Sequence, residues 1–325
     1  MILNEHYTEI DGALTPQEFH KTLRNFPKTA VTFFSKKLLK LFQRKYKCEK
    51  IAELENETMD FPIYKTKVKN RNLIVYQSPV GAPAAASLME DIIALGARHI
   101  LAVGCCGCLD EKIDATDLIV PNVAIRDEGL SYHYLKTQDE IILNTNMVKF
   151  VTESLKKQKQ HFVVGKTWTN DGLYRETKEK IAKRKKQGAI VVEMETSALA
   201  SVAEFRKVHF AQILYGADSL ANGGYDKRTF RGERIPKRVE GIVDIALLCG
   251  AHIDRRMKEQ DKENEEEENE EPKKPKFFRL FWAIKNGIKR EIEESKKRRE
   301  SKRLEQESTR IEFEITENNE NKNTQ

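Results

Sequence analysis

From Asn72 to Cys249 the chain alternates short apolar runs, rich in β-branched residues, with stretches whose apolar residues recur at helical spacing. This constrains the fold most, because such alternation builds an α/β domain with helices packed on a central sheet. Strands are predicted at 73–80, 99–103, 117–125, 161–166, 189–194 and 209–215, and helices at 84–97, 176–186, 196–206 and 237–249. The strand at 99–103 is read as running into a tight turn, Gly104-Cys105-Cys106-Gly107. Before Asn72 the pattern is less legible. Thr15-Pro16-Gln17-Glu18 reads as a capped helix start, and Ser35 to Tyr46 as a basic amphipathic helix.

Charge divides the chain. Acidic and basic residues make up 39 of the 75 positions from Ala251 onward but only 69 of the preceding 250, so only the earlier part holds enough apolar residues for a large core. The expected organisation is one domain over 1–255, an acidic and Pro-Lys-rich disordered linker over 256–276, and an aromatic-basic helix with a charged, disordered or helical tail over 277–325. Within that tail Phe277, Phe278, Phe281 and Trp282 stand among basic residues. Residues 277–303 therefore read either as a peripheral membrane or protein contact or as a solvated charged helix.

No apolar stretch has the length of a membrane-spanning helix, and the acidic, polar N-terminus is unlike a secretory signal, so a cytoplasmic protein is expected. Five cysteines, three of them at 105, 106 and 108, suit a reducing compartment better than a disulfide scaffold. Cys105 and Cys108 form a C-x-x-C pair, but no second Cys or His pair at matching spacing supports a metal or redox site. A net charge of +6 with interleaved signs gives no reason to expect nucleic acid.

The most informative stretch is Val191-Val192-Glu193-Met194-Glu195-Thr196. An apolar strand ending in carboxylates at i and i+2 places both on one face, and a helix starting directly afterwards puts backbone N–H groups beside them. Adjacent ribose hydroxyls would satisfy such a pair, with Met194 as an apolar floor; two glutamates facing water at a strand edge is the alternative.

Four ordered segments carry a likeness. They are Val80-Gly81-Ala82-Pro83 with Gly104-Cys105-Cys106-Gly107, Arg126-Asp127-Glu128-Gly129-Leu130-Ser131-Tyr132-His133-Tyr134, Trp168-Thr169-Asn170-Asp171-Gly172-Leu173-Tyr174-Arg175-Glu176-Thr177, and Val192-Glu193-Met194-Glu195 with Ala217-Asp218-Ser219-Leu220. Over residues 15–250 the sequence resembles the nucleoside phosphorylase family of the trimeric and hexameric kind. The resemblance implies a three-layer α/β fold with a mixed, strongly twisted central sheet, a homo-oligomer, and a nucleoside and phosphate as partners, with no metal and no organic cofactor. It places Glu195, and more weakly Glu193, on the ribose hydroxyls with Met194 beneath the sugar, Trp168 stacked on the base, and Asp218 as the general acid that protonates a purine nitrogen. Arg175 points instead to uridine, as a residue holding a pyrimidine carbonyl, unless it caps its own helix or pairs with Glu176 and Asp171. The base therefore stays open between a purine and uracil.

Departures from the family bear on the nucleophile. Gly104, Cys105 and Gly107 stand in the phosphate-binding turn, but Ala102 replaces the usual arginine, Cys105 replaces a hydroxyl residue, and Val31-Thr32-Phe33-Phe34-Ser35 occupies the place of a Pro-Gly-Asp-Pro loop. A thiol donates hydrogen bonds poorly and alanine not at all. Lys36 or Lys37 would have to restore the charge, or a neighbouring subunit would. His133 is a candidate sugar contact, and His6 a candidate for reaching a neighbouring subunit's ribose. The leading expectation is phosphorolysis of a nucleoside to free base and ribose 1-phosphate. The alternatives are hydrolysis, with Glu5 or Glu9 activating water, and a catalytically weak nucleoside-binding module tethered through its tail.

Overall fold

A computed structural model describes residues 5, 12–113, 117–222, 224–228 and 241–269. The elements run α1 (Pro16–Phe19), β1 (Thr29–Phe33), α2 (Lys36–Lys45), β2 (Cys48–Glu55), β3 (Asp60–Val68), β4 (Arg71–Gln77), α3 (Ala82–Leu95), β5 (His99–Cys108), β6 (Leu118–Asp127) and α4 (Ser131–Tyr134). They continue with β7 (Glu140–Ile142), α5 (Thr145–Lys157), β8 (Phe162–Asn170), a 3-10 turn (Leu173–Arg175), α6 (Lys178–Lys186), β9 (Ala189–Glu193), α7 (Thr196–Phe205), β10 (His209–Ser219) and α8 (Ile242–Asn269). Local chemistry sets several boundaries. Thr15 and Glu18 form a capping box at α1, the Asn144 side chain accepts from the Met147 amide at α5, and Thr177 does the same for Lys180 at α6.

Among the described residues, ten strands form one mixed sheet that closes partly on itself. From β5 the ladder runs through β1, β4, β3 and β2 in one direction, while β5, β10, β6, β8 and β9 form a ring that returns to β5. Alternating side chains divide between two apolar layers, as strand geometry requires. Ala30, Ile74, Ile100 and Phe210 face α3 and α7, where Met89, Ile92, Leu199 and Val202 complete one cluster. Their neighbours Val31, Val75, Leu101 and Ala211 face α2, α5 and α8, with Phe42, Phe150 and Leu247. The result is the expected α/β arrangement of helices on both faces of a mixed sheet.

Two differences from the sequence reading have physical causes. Gly104-Cys105-Cys106-Gly107 is not a turn: β5 runs on to Cys108, because β10 pairs with it from His99 to Cys108 and β9 pairs with Gly107 and Cys108. Ladder partners from strands far along the chain thus override a local glycine signal. Helix α8 also passes through 256–269, part of the segment read as a disordered linker, and the compact unit extends to Asp261. Extending a helix whose first turns are already buried avoids a new nucleation step, and Lys258–Asp254 and Arg255–Glu259 pairs support it. The second unit comprises 262–325, of which 262–269 are helical. The aromatic-basic segment 277–303 lies outside the described residues. Among the described residues, no helix is long and apolar enough to cross a membrane.

Gly250 shows how tightly α8 sits on the sheet. A Cβ there would lie 2.7 Å from Val31 Cγ2 and 3.3 Å from Leu73 Cδ1. Gly250→Val should therefore destabilise the protein by about 1–3 kcal/mol through overpacking. The reading is a lower urea midpoint with an unchanged m-value.

Candidate active site

Strand β5 changes neighbour along its length. Thr29–Phe33 of β1 pair with His99–Val103, the Phe34 amide donates to the Val103 carbonyl, and β9 joins only at Gly107 and Cys108. Between these partners Gly104–Cys106 is paired on its β10 side alone. The starts of α3 and α7 meet nearby, because the Gly81 amide before α3 donates to Glu195 Oε1 at 2.6 Å. Gly81 has φ +99°, a conformation that glycine adopts without strain. A site at such a neighbour change, beyond the carboxyl ends of strands, is where α/β sheets open a crevice.

The two glutamates of the Glu-Met-Glu segment have different tasks. Glu193 is buried and saturated by protein donors: Thr169 Oγ1 at 2.7 Å and Thr167 Oγ1 at 3.2 Å on Oε1, and the amides of Glu195 and Thr196 at 2.7 Å each on Oε2. Burial raises its pKa, and these donors oppose the rise. Glu193 is thus the anion at the N-terminus of α7, and the weaker ribose contact expected of it would have to displace existing bonds. Glu195 is held by the Gly81 amide, and its pKa is pushed up to about 8 by burial and then by the charge of Glu193. Met194 between them is half-buried.

Asp218 reaches this region through an irregularity. The β10–β5 register shifts between Gly216 and Asp218, setting Asp218 opposite Gly107. A bulge of this kind re-aims a side chain. A Cβ on Gly107 would lie 3.2 Å from Asp218 Oδ1 and 3.1 Å from Val192 Cγ1, so a side chain there would press on the carboxylate. Burial raises the pKa of Asp218 to about 6, against the Tyr225 hydroxyl bond and the charge of Arg228. Tyr225 is brought back by the reciprocal backbone bonds between Ser219 and Asp226, at 2.8 and 2.9 Å. Cys105 borders solvent, yet enough protein surrounds its thiol that desolvation, then the charges of Glu195 and Asp218, push it up to about 11. Both charged neighbours that act on it are carboxylates. Ala102 is buried under the α3–α7 layer, while Lys36 and Lys37 are exposed at the start of α2.

On the third side, Trp168 is fully buried among Leu109, Ile125, Ala189 and Val192, and its Nε1 donates to Asp127 at 2.8 Å. The ring presents no face to a base, so the expected stacking role is corrected: the alternation of β8 turns this residue inward. Arg175 ends the 3-10 turn, is exposed, and makes no ion pair with Glu176 or Asp171 among the described residues. Burial lifts the pKa of Asp127, but Lys180, Arg184 and Trp168 outweigh it and the value is lowered. Lys180 bonds Asp127 at 2.8 Å and donates to Asn170 Oδ1 at 3.2 Å, and Asn170 Nδ2 donates to Gly172 O at 3.0 Å and Glu176 Oε1 at 3.3 Å. The pKa of Glu176 is pushed up to about 7 by burial and further by the charge of Asp218, against the Asn170 bond.

The Arg126–Tyr134 segment is largely self-supporting. Arg126 donates to Ser131 Oγ and to the carbonyls of Leu135 and Lys136, and Glu128 accepts from the Ser131 amide and the Ser197 hydroxyl. His133 is exposed there. His6 and Glu9 lie outside the described residues, and Glu5 is within them. Sequence reasoning missed Gly81, Thr169, Asn170, Tyr225 and Glu176 as parts of the site. All but Tyr225 stood in the quoted segments, but neither burial nor hydrogen bonding is visible in a one-dimensional pattern. Among the described residues, no group of three or more His, Cys, Asp or Glu is arranged to hold a metal.

Comparison with known proteins agrees with this architecture. The family model described as the phosphorylase superfamily matches residues 28–247. A guanosine phosphorylase of Halorubrum lacusprofundi is 21% identical over 196 residues, covering 60% of this chain and 81% of that protein. A DeoD-type purine nucleoside phosphorylase of Buchnera aphidicola is 26% identical over 169 residues, or 51% and 72% of the two chains. The crystal structure of purine nucleoside phosphorylase from Toxoplasma gondii in complex with immucillin-H superposes with a TM-score of 0.61 at 18% identity, covering 71% of this chain and 93% of that one. The chain therefore belongs to the phosphorylase superfamily, as an enzyme of its nucleoside phosphorylase kind.

Proposed function

We propose that this enzyme cleaves the N-glycosidic bond of a purine nucleoside, with phosphate attacking the anomeric carbon to give free base and ribose 1-phosphate. The observation that carries the purine reading is Asp218, re-aimed by the bulge against Gly107 and held at a pKa of about 6 by burial. A carboxylic acid there can hand its proton to the base nitrogen as the bond breaks, so the base leaves neutral. Glu195 would take the ribose hydroxyls, and Gly104, Cys105 and Gly107 would line the nucleophile side. The reaction needs no metal and no organic cofactor. Sites near subunit contacts in a homo-oligomer belong to the same reading, as does a cytoplasmic setting.

One observation favours hydrolysis as a second reading. The charged groups acting on Cys105 are Glu195 and Asp218, and Ala102 supplies no cation beside them. Water carries no charge and suits such a field better than a phosphate dianion.

Incubation of the full chain with inosine, guanosine, adenosine and uridine, with and without phosphate, separates these readings by chromatography of the released base. Release from purine nucleosides that requires phosphate is the expected result; equal rates without it establish hydrolysis, and release from uridine alone removes the purine assignment. Asp218→Ala should lower kcat/KM for the purine nucleoside by about 10²–10⁴-fold. Because the acid must be protonated, wild-type kcat/KM should fall as pH rises through about 6. That limb should be absent from the Asp218→Ala profile.

A further inference from the structure

Gln212 of β10 is 0% exposed, and only one end of its amide is satisfied. Thr196 Oγ1, at the start of α7, donates to its Oε1 at 2.8 Å, while among the described residues Nε2 has no hydrogen-bond partner. A buried donor left unpaired costs about 1–3 kcal/mol, so its persistence calls for a partner that completes it.

The surroundings fix where Nε2 points. In the parallel ladder Gln212 stands beside Ala102, and Ala102 beside Thr32, so the three share the face covered by α3 and α7. Thr196 holds Oε1, and its own amide donates to Glu193 Oε2, which ties Gln212 to the helix start that carries Glu195. Nε2 lies 3.7 Å from the position that a Cβ on Gly104 would take. Gly104 opens the stretch of β5 paired with β10 alone. The unpaired donor thus overlooks a glycine in the segment where the site changes strand neighbour. The same position is covered by the half-buried Phe34 ring, whose Cδ2 lies 3.0 Å from it. The Phe34 amide is fixed on Val103 O at 3.1 Å, so the ring can turn while the backbone stays.

We propose that Gln212 is a ligand of the attacking phosphate: its Nε2 donates to a phosphate oxygen at Gly104, with the Phe34 ring turned aside. The hydrogen bond that Ala102 cannot make is supplied by the neighbouring strand, from the residue in register with it. An amide brings direction but no charge, so Gln212 orients the attacking oxygen without offsetting the field of Glu195 and Asp218. A side chain at position 104 would fill the space between donor and ligand. The assignment rests on the phosphorolytic reading above.

The test is the full-length Gln212→Met variant, close in volume to glutamine and without a donor. Phosphate is varied at saturating purine nucleoside, and nucleoside at saturating phosphate. The expected result is a fall of about 10–100-fold in kcat/KM for phosphate, carried by its KM, the range for losing a hydrogen bond to a charged group. The KM for nucleoside should not move. Thr196→Val, which frees Oε1 but keeps the donor, should raise the KM for phosphate by a smaller factor, and it decides the matter where Gln212→Met does not fold. Proportionate changes in both KM values, or no change in either, make Gln212 a packing residue and overturn the assignment, while a wild-type requirement for phosphate leaves phosphorolysis standing. Wild-type release of base at the same rate without phosphate, or no release at all, overturns the phosphorolytic reading and this assignment with it.

Discussion

Strand β5 keeps β10 along the whole of one edge but changes neighbour along the other, and the site depends on that. Its first half needs β1 to bury the two apolar layers, and its last residues need β9 to close the ring of strands. Between them, Gly104–Cys106 is paired with β10 alone among the described residues. That gap is placed by the same pairing that stabilises the core. Helices α3 and α7 then deliver their starts to the same point, tied by the bond from Gly81 to Glu195.

Packing several carboxyl groups around one crevice is costly, because each charge is removed from water. The structure meets that cost in three ways. Glu193 receives four donors, two of them helix N-terminal amides. Asp127 is surrounded by Lys180, Arg184 and the Trp168 indole. Glu195, Asp218 and Glu176 receive less compensation, and burial raises the pKa of all three. Burial raises the pKa of Glu193 as well, so what separates these carboxylates is the number of donors each one has and not the direction of its shift. Groups perturbed in this way cluster at functional sites.

Much of this was legible in the sequence. The alternation after Asn72 located β4–β6 and β8–β10, and the Glu-x-Glu spacing with its following helix located the strand–cap–helix junction. What was not legible depended on distant partners. Gly104–Gly107 read as a turn because two glycines are a local signal, whereas the ladder that straightens them comes from β9 and β10. Trp168 read as a stacking ring because its motif placed it near the base, whereas burial on the inner side of β8 is a property of the closed ring. Strands β2 and β3 were missed where polar residues interrupt the alternation, as in Cys48–Glu55 at the sheet margin, and β1 because it is a buried run of only five residues. Glu176 was read only as a possible partner of Arg175, since only the fold brings it under the influence of Asp218.

The sign of the electric field then links the two halves of the chemistry. Cleavage of a nucleoside passes through a sugar with oxocarbenium character, and carboxylates close to that sugar stabilise its positive charge more than they stabilise the neutral ground state. Glu195 and an ionised Asp218 would provide such a field, but Asp218 must be protonated to serve as the acid. Its pKa of about 6 keeps a minority of the acid form available near neutrality while leaving the carboxylate as the main species. The same negative field works against a phosphate dianion at Cys105, where a neutral thiol and Ala102 replace a hydroxyl and an arginine. Phosphorolysis would need a cation set against that field beside the phosphate, whereas hydrolysis would need none. The Asp127–Lys180–Asn170–Glu176 chain is tied by hydrogen bonds and an ion pair and contributes none of the charges that act on Cys105.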